Sequence, residues 1–287
     1  MAKGRELKGR IKTVENTRKI TRTMEMVATS KMKRAQDRVV AARPFANSLT
    51  EVIANLYTPE LAERFPLLRQ PTAVRKAAVI VLTSNRGLAG AFNANLLKES
   101  RALLARLKET GVEPELHVIG KKGLGYFRYV GRAVASSRID VTDRPTAENA
   151  AEIVDGLIQR FASAEIDAVY VVYAKFQSAL STPPATQMIL PVTPPERTGP
   201  QPDYILLPSA EAILTQLLPS YVRNSVYRAL VETAAGEQGA RRTAMKNATD
   251  NAGEMLNTLR RTFNRARQAQ ITQEIAEIVG GSAALEG

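Results

Sequence analysis

Apolar and small residues recur every three or four positions over the first ~57 residues. They are Leu7, Ile11, Val14, Ile20, Met24, Val27, Met32, Ala35, Val39 and Ala42. This spacing predicts one long helix with a coiled-coil-like stripe, whose register is irregular between Val14 and Ile20. Pro44 lies within the pattern, and we expect it to kink the helix or to end it near Arg43.

The pattern changes at residue 76, where a continuous apolar run begins. Runs typical of strands occupy 76–84, 115–120, 167–176 and 186–192, and amphipathic helices are predicted at 96–109 and 147–162. Strands that alternate with helices indicate a Rossmann-like α/β domain with a largely parallel sheet over residues 76–195. The proline-rich segment 193–208 is predicted to be a linker.

Helical periodicity returns from Ser209 and continues to Val279. Pro219 should kink this helix or make it begin effectively at Ser220, and no proline follows. About 60 residues of helix span roughly 90 Å, so such a helix needs a partner along its length. Its stripe runs from Val222 to Ala266, and the middle of the stripe is almost all Ala and Gly, which lets a second backbone approach closely.

The two terminal segments predict a shared structure. Helices from opposite chain ends that are joined through a folded domain pair in antiparallel fashion. The predicted fold is therefore an α/β fold with long helices, in which an antiparallel coiled coil of the N- and C-terminal helices carries an inserted Rossmann-like domain. The predicted segments are 1–57, 76–195 and 209–287.

The composition restricts the chemistry. The chain has no Cys and one His, which excludes disulfides, thiolate metal sites, cysteine nucleophiles and any catalysis that needs two histidines. His117 lies in the apolar run ELHVIG and is predicted to be a half-buried strand histidine. No metal and no cofactor is expected.

The net charge of +12 is concentrated at one end of the chain. Residues 1–48 hold 13 basic and 4 acidic residues and so carry +9. A helix with this charge suits an acidic partner, which leaves nucleic acid, anionic lipid and acidic protein surfaces open. Because no apolar run reaches the ~20 residues of a membrane span, we expect a cytosolic or membrane-peripheral protein.

Two glycine-rich segments follow predicted strands. GKKGLG (120–125) has the wrong glycine order for a dinucleotide fingerprint, and we interpret it as a strand-to-helix turn. SNRGLAGAFNANL (84–96) lacks the G-K-[ST] ending of a P-loop, although Asn93 could cap the next helix. Carboxylates such as Asp140, Asp143, Glu148 and Glu152 are interpreted as solvated surface charge.

Three segments resemble one protein family. RIKTVENTRKITRTMEMVATSKMKRAQ (10–36) is similar to the N-terminal helix of the γ subunits of bacterial F-type ATP synthases. SNRGLAGAFN (84–93) resembles a strand-end segment of that family. Segments 227–256 and 263–284, which include EQGARR and RARQAQITQE, resemble its C-terminal helix. The resemblance covers the whole chain in order.

The resemblance implies a function. It implies a central rotating shaft without an active site, which couples proton or sodium flow through the c-ring to ATP synthesis or hydrolysis at the β subunits. The implied partners are the α and β subunits, the ε subunit and the membrane c-ring, with no nucleic acid and no membrane insertion. The implied location is peripheral, at the cytoplasmic face of the bacterial inner membrane.

The resemblance also implies contacts with the β subunit. Met24 of the MEM motif would face an acidic loop of β, and further contacts would lie higher in the hexamer cavity, at Arg241, Arg267, Gln268, Thr272 and Glu274. Three more basic residues are candidates from their charge alone: Lys31, Lys33 and Arg34. The sequence departs from the family's pattern at two points. Pro219 stands where helix-forming residues would be more usual, and the cysteine-bearing insertion of chloroplast members is absent. The alternatives are a nucleic-acid-binding coiled-coil protein and, less favoured, an enzyme.

Overall fold

The structure, a computed structural model, describes residues 2–57, 63–178, 181–193 and 209–285. In chain order the elements are α1 (Ala2–Leu56), a 3-10 helix (Pro66–Leu68), β1 (Lys76–Leu82), α2 (Phe92–Glu109), β2 (Glu113–Ile119), α3 (Lys121–Tyr129), β3 (Ser136–Arg138), α4 (Ala147–Ala162), β4 (Ala168–Ala174), β5 (Pro184–Leu190) and α5 (Ala210–Leu285).

The strands form one sheet in the order β3-β2-β1-β4-β5. The first four are parallel, with Ile80 opposite His117 on β2 and Val171 on β4, and β5 runs antiparallel at the edge. This is the strand order of a doubly wound Rossmann-type sheet. The predicted α/β fold is confirmed.

Both faces of the sheet are covered, because side chains along β1 alternate between two cores. Ala78, Ile80 and Leu82 pack against α4 and parts of α1 and α5. Ala77, Val79 and Val81 pack against α2 and α3 on the other face. A strand that is buried on both faces appears in the sequence as a continuous apolar run, which is why β1 was predictable.

Both long helices continue through a proline. α1 contains Pro44 and α5 contains Pro219. Of the two outcomes expected at each proline, a kink or a helix boundary, the boundaries near Arg43 and at Ser220 are therefore contradicted. Apolar residues beyond each proline are buried, including Leu49 and Ile53 in α1 and Leu214 and Leu218 in α5. Burying a leucine or isoleucine contributes about 1.5–3 kcal/mol, so two of them outweigh the roughly 3 kcal/mol cost of one proline.

The chain divides into two compact units, Ala28–Arg241 and the pair Met1–Val27 with Arg242–Gly287. The second unit is a helix pair. Thr21 lies next to Thr249, Arg18 next to Gly253, and Glu15 next to Arg260. The residue numbers fall along α1 as they rise along α5, so the two helices pair in antiparallel fashion, as predicted. The division into three segments that was made from the sequence stays a prediction. Of the proposed linker 193–208, residues 194–208 lie outside the described residues.

Candidate functional site

The carboxyl edge of the sheet is where a doubly wound fold usually binds its ligand. The strand order reverses between β1 and β4, and a crevice normally opens there. In this chain α5 packs against the carboxyl end of β4. The backbone N–H of Ala174 donates to Thr233 Oγ1 at 3.2 Å, and that of Phe176 donates to Glu232 Oε2 at 3.0 Å. The helix thus pairs with the backbone that a ligand would otherwise contact.

Gly236 permits a close approach of α5 to this edge. A Cβ built there would lie 3.2 Å from the Cβ atoms of Ala174 and Thr182 and 3.4 Å from Phe92 Cε2. Residues 229–236 of α5 are all buried, so the helix is enclosed on every face at this point. A helix enclosed in this way needs small side chains, which explains the Ala and Gly residues in the middle of its stripe.

Polar groups in the turn after β1 make hydrogen bonds within the chain. Asn93 Oδ1 accepts from the backbone N–H of Ser84 at 3.0 Å. α2 begins at Phe92 and has no side-chain cap, so the prediction that Asn93 caps it is wrong. Asn85 donates to the carbonyls of Ile139 and Val141 at 3.0 and 2.8 Å. The turn is a structural connection between β1 and the segment after β3.

GKKGLG is a strand-to-helix turn, as predicted, with Gly120 at φ 100° preceding α3. An anion site at a helix N-terminus needs free backbone N–H groups. Here Lys121 N–H donates to Asn85 Oδ1, Lys122 N–H to the Ser84 carbonyl, and Gly123 N–H to Thr83 Oγ1, at 2.9, 3.1 and 2.9 Å. With these donors occupied, the turn is not arranged for a phosphate.

His117 lies in a strand, as predicted, but it is buried and not half-buried. Its Nδ1 lies 2.6 Å from Ser136 Oγ, and its Nε2 lies 3.0 Å from Glu115 Oε1. Burial lowers the pKa of His117 below its ordinary 6.5. Arg160 donates to both carboxylate oxygens of Glu115 at 2.7 Å, and this hydrogen bonding is the main reason that the pKa of Glu115 is lowered.

Four charged side chains meet where the long helices join the α/β domain. Lys31 Nζ lies 2.7 Å from Asp143 Oδ2, and Arg241 Nη2 lies 2.6 Å from Glu237 Oε1. Arg241 Nη2 also donates to the Gly87 carbonyl at 3.2 Å. Burial raises the pKa of Glu237, against the charge of Arg241, and the charges of Asp143 and Lys31 also act on it.

The interpretation of Asp140, Asp143, Glu148 and Glu152 as solvated surface charge is partly wrong. Asp143 is the partner of Lys31; burial raises its pKa, but the hydrogen bond and charge of Lys31 outweigh burial, and the net pKa is lowered. Arg138 pairs with Asp140 and, at 2.8 Å, with Glu152. The hydrogen bond from Arg138 lowers the pKa of Asp140 to about 2.

The predicted β-contact residues fall into three groups. Lys31 and Arg241 belong to the charged cluster just described. Met24 is half-buried, whereas Lys33 and Arg34 are exposed and bond within α1, to Asp37 at 3.0 Å and to Ser30 at 3.0 Å. The remaining four are exposed on α5 and follow one another along it: Arg267, Gln268, Thr272 and Glu274. Their contact with another subunit stays a prediction.

Glu232, Thr233, Gly236 and Glu237 were not predicted as site residues. A signal was present, because ETAAGE (232–237) places two carboxylates and a hydroxyl in a helix stretch otherwise made of small residues. Within the described residues no group of three His, Asp or Glu is positioned to hold a metal ion. None of the described helices offers a stretch both long and apolar enough to cross a bilayer.

Comparison with known proteins decides the family. A family model described as ATP synthase matches residues 3–285. The ATP synthase gamma chain of Gemmatimonas aurantiaca is 67% identical over the full length of both chains. That of Frankia casuarinae is 42% identical over 98% of this chain and 97% of its own. The chain belongs to the ATP synthase gamma-chain family.

Solved structures agree with this gamma-chain assignment. A chain from the central stalk and c-ring structure of the Tetrahymena thermophila mitochondrial ATP synthase has a TM-score of 0.62 and 27% identity, and the match covers 80% of this chain and 99% of that one. A chain from the Euglena gracilis enzyme has a TM-score of 0.71 over 99% of this chain and 95% of that one. Its 20% identity shows the shared fold alone.

Proposed function

We propose that the chain is the central rotating shaft of an F-type ATP synthase, which couples proton or sodium flow through the c-ring to ATP synthesis and hydrolysis on the β subunits. The observation that carries the proposal is the 67% identity to a bacterial gamma chain along the whole chain. The antiparallel helix pair supports it, because a shaft needs elongated elements whose faces differ.

The mechanism is differential contact. A helix pair with unequal faces stabilises different conformations of the surrounding β subunits at each angle of rotation. Because a ligand can shift an equilibrium only by its differential affinity, the shaft angle and the nucleotide affinity of each site must be coupled reciprocally. The proposed partners are the α and β subunits, the ε subunit and the c-ring. Nucleic acid is not among them, and binding in a gel-shift assay is expected to disappear at physiological salt.

The subunit itself is proposed to be non-catalytic. The carboxyl edge of its sheet, where related folds bind nucleotides, is occupied at β4 by Thr233 and Glu232 of α5. The start of α3 has its first N–H groups bonded to the protein. We place the chain at the cytoplasmic face of the bacterial inner membrane as a peripheral component.

The proposed β contacts differ in how accessible they are. Arg267, Gln268, Thr272 and Glu274 are exposed and suit direct contact in the cavity of the hexamer. Met24, Lys33 and Arg34 are retained as contacts lower on the shaft. Arg241 has a side chain only 10% exposed, and its guanidinium is already bonded to Glu237 and Gly87. Lys31 is likewise paired, so these two are the weakest candidates for direct contact.

Reconstitution tests the function. The purified chain is added to α and β subunits that lack a gamma chain of their own, and ATP hydrolysis and rotation of a probe on the chain are measured. We expect both to be restored. Hydrolysis that stays at the level of the α and β subunits alone, with no rotation, would contradict the proposed shaft.

A substitution at Met24 tests the contact with β. Met24→Lys adds a cation beside the proposed acidic loop, and a new ion pair made at some angles only should impair ion transport more than ATP hydrolysis. Met24→Leu, which conserves volume without charge, is the control and should keep both activities. Equal loss of transport and hydrolysis in the Lys variant, or loss of neither, would contradict this position for Met24.

A further inference from the structure

The junction cluster, defined as Lys31, Asp143, Glu237 and Arg241, joins both long helices to the loops of the α/β domain. Lys31 belongs to α1, and its partner Asp143 lies between β3 and α4. Arg241 and Glu237 belong to α5, and Arg241 reaches the Gly87 carbonyl in the turn between β1 and α2. Each helix therefore has a charged contact to a different loop at the carboxyl edge of the sheet.

One pair of the cluster, Arg241 with Glu237, differs from the other ion pairs of the long helices in that both side chains are largely buried, whereas Lys31 and Asp143 are 39% and 28% exposed. The side chains of Arg241 and Glu237 are 10% and 12% exposed, whereas those of Lys246 and Asp250, also spaced i,i+4 on α5, are 59% and 61% exposed. Exposed pairs of this kind contribute little and are screened by salt. A buried pair adds little net stability, but the removal of one partner is costly because it leaves an uncompensated buried charge.

Several polar contacts, besides apolar packing, oppose rotation of α5 about its own axis. Thr233 and Glu232 accept from the backbone at the end of β4, Arg223 donates to Asp155 of α4, and Arg241 donates to the Gly87 carbonyl. Directly before the cluster, Gly236 lies against Ala174 and Thr182 and has no side chain of its own to interlock with them. Apolar burial is non-directional, whereas a charge-assisted hydrogen bond is lost when its donor rotates out of line. The pair Lys31–Asp143 gives α1 the same kind of directional contact.

We propose that the junction cluster is a torsional coupling in the subunit: its residues, together with the contacts of Thr233, Glu232 and Arg223, position α1 and α5 on the α/β domain so that torque passes between them. This inference rests on the proposed shaft function. It also gives Lys31 and Arg241 a role within the chain instead of the direct β contact that the sequence suggested.

The two roles make different predictions for the acidic partners. If Lys31 and Arg241 act by touching β, removing Asp143 or Glu237 should have little effect on rotation. If the cluster is a torsional coupling, then Asp143→Asn and Glu237→Gln should have the same effect as the loss of the basic partner. Both substitutions preserve side-chain size and remove only the charge.

The experiment measures torsional stiffness in the assembled complex. The chain has no cysteine, so Lys108→Cys on the exposed surface of α2 gives a single attachment point for a rotation probe. With the α and β subunits immobilised, the angular fluctuations of the probe on α2 during pauses report the torsional stiffness of the chain. Transport per ATP hydrolysed is measured on the same variants.

We expect Lys31→Asp, Asp143→Asn and Glu237→Gln each to lower the stiffness by about twofold or more, with less transport per ATP. The exchange Lys31→Asp with Asp143→Lys should restore most of the loss, because it rebuilds the pair with reversed charges. Asp250→Asn, in the exposed pair with Lys246, is the matched control and should behave as wild type.

Wild-type stiffness in the Asp143→Asn and Glu237→Gln variants would overturn the coupling, and so would an exchange that fails to recover stiffness beyond either single variant. A failure of the shaft function has a different signature, because then the complex with the unsubstituted chain would not rotate. Should the charge-reversed variants fail to assemble, the two neutral variants decide the question.

Discussion

Two stretches of the same helix lie in opposite environments. Residues 229–236 of α5 are all buried, and residues 271–280 are all exposed. The buried stretch consists largely of small residues and makes hydrogen bonds to the end of β4. The exposed stretch carries large apolar side chains, among them Ile271, Ile275 and Ile278. Exposed apolar side chains in a row indicate a surface that another molecule covers.

The difference shows that helix periodicity does not report which part of a helix the chain itself packs. In the buried stretch the stability of the free subunit depends on side-chain size. In the exposed stretch the free subunit gains almost nothing from its apolar residues. We expect the functions of the two stretches to differ in the same way. The buried stretch positions α5 on the α/β domain, and the exposed stretch contacts other subunits.

Gly236→Leu should give the largest effect. The new side chain would enter a space where even a Cβ lies 3.2 Å from Ala174 and Thr182. Overpacking of this kind costs typically 1–3 kcal/mol, and we expect a loss of about 3 kcal/mol in the free energy of unfolding. Urea unfolding followed by circular dichroism measures it.

Gly253→Ala is the matched substitution on the same helix. The nearest neighbour of its Cβ is Arg18 Nε at 3.8 Å, so the methyl group fits. Replacing a helical glycine by alanine should then stabilise the helix pair by up to about 1 kcal/mol. If Gly236→Leu proved as harmless as Gly253→Ala, α5 would not be enclosed at the sheet edge as described.

The two units should also differ in their response to pH. His117 is the one histidine of the chain, and its pKa is lowered by burial. Because the unfolded chain then binds a proton near pH 6.5 that the folded chain does not, stability falls as the pH drops below 6.5, by at most about 1.4 kcal/mol per pH unit. Glu115 has a lowered pKa, so its contribution is lost only at a lower pH, below its ordinary 4.5.

Hydrogen exchange at pH 7.0 and 5.5 measures this difference by region. We expect faster exchange at the lower pH, after correction for the intrinsic rate, around β2 and β3 but not in residues 5–27 or 242–280. His117→Gln should remove most of the pH effect. An unchanged pH dependence in that variant would mean that another group is responsible.

A smaller effect is expected from the hydroxyl pair in the helix pair. Thr249 Oγ1 donates to Thr21 Oγ1 at 2.8 Å in a buried position. Thr21→Val should cost about 1 kcal/mol, whereas the double variant Thr21→Val with Thr249→Val should be close to neutral, because both hydroxyls are then removed. A double variant that loses more than the sum of the single variants would contradict this, as measured by thermal unfolding.

The smallest effect is expected at the exposed end of α5. Ile275 is 57% exposed, so Ile275→Gln should change the unfolding free energy of the free chain by less than about 0.5 kcal/mol. The same measurement on Leu256→Gln, at a buried position of the helix pair, should show a clear loss. A large loss at Ile275 would mean that the free chain already covers this surface.

Much of the fold was predictable because its signals are local. β1 and β4 are continuous apolar runs, and the antiparallel pairing followed from two stripes at opposite chain ends. The sequence could not decide whether each helix continues through its proline. The local rule counts one lost hydrogen bond and does not include the distant packing that buries Leu49, Ile53, Leu214 and Leu218. β3 was missed because Ser136–Arg138 has only three residues and no apolar run.

The charged junction was beyond sequence reasoning for a different reason. Lys31, Asp143 and Glu237 are more than 90 residues apart in sequence, and a solvated charge and a paired one look the same in a pattern. Arg241 was recognised as important from a resemblance, but its partner and direction needed the fold. The sequence indicated which residues matter on α5 and not which way they face.

The turn that begins at Gly120 has an evolutionary consequence. Its φ of 100° and a would-be Cβ only 2.2 Å from the Thr83 carbonyl oxygen close this position to every residue except glycine. Thr83 is held there in turn, since its hydroxyl accepts from Gly123 N–H and donates to the Ile119 carbonyl. Across gamma chains that keep this sheet edge, position 120 should therefore not drift, and a lineage without the glycine should have rebuilt the turn together with position 83.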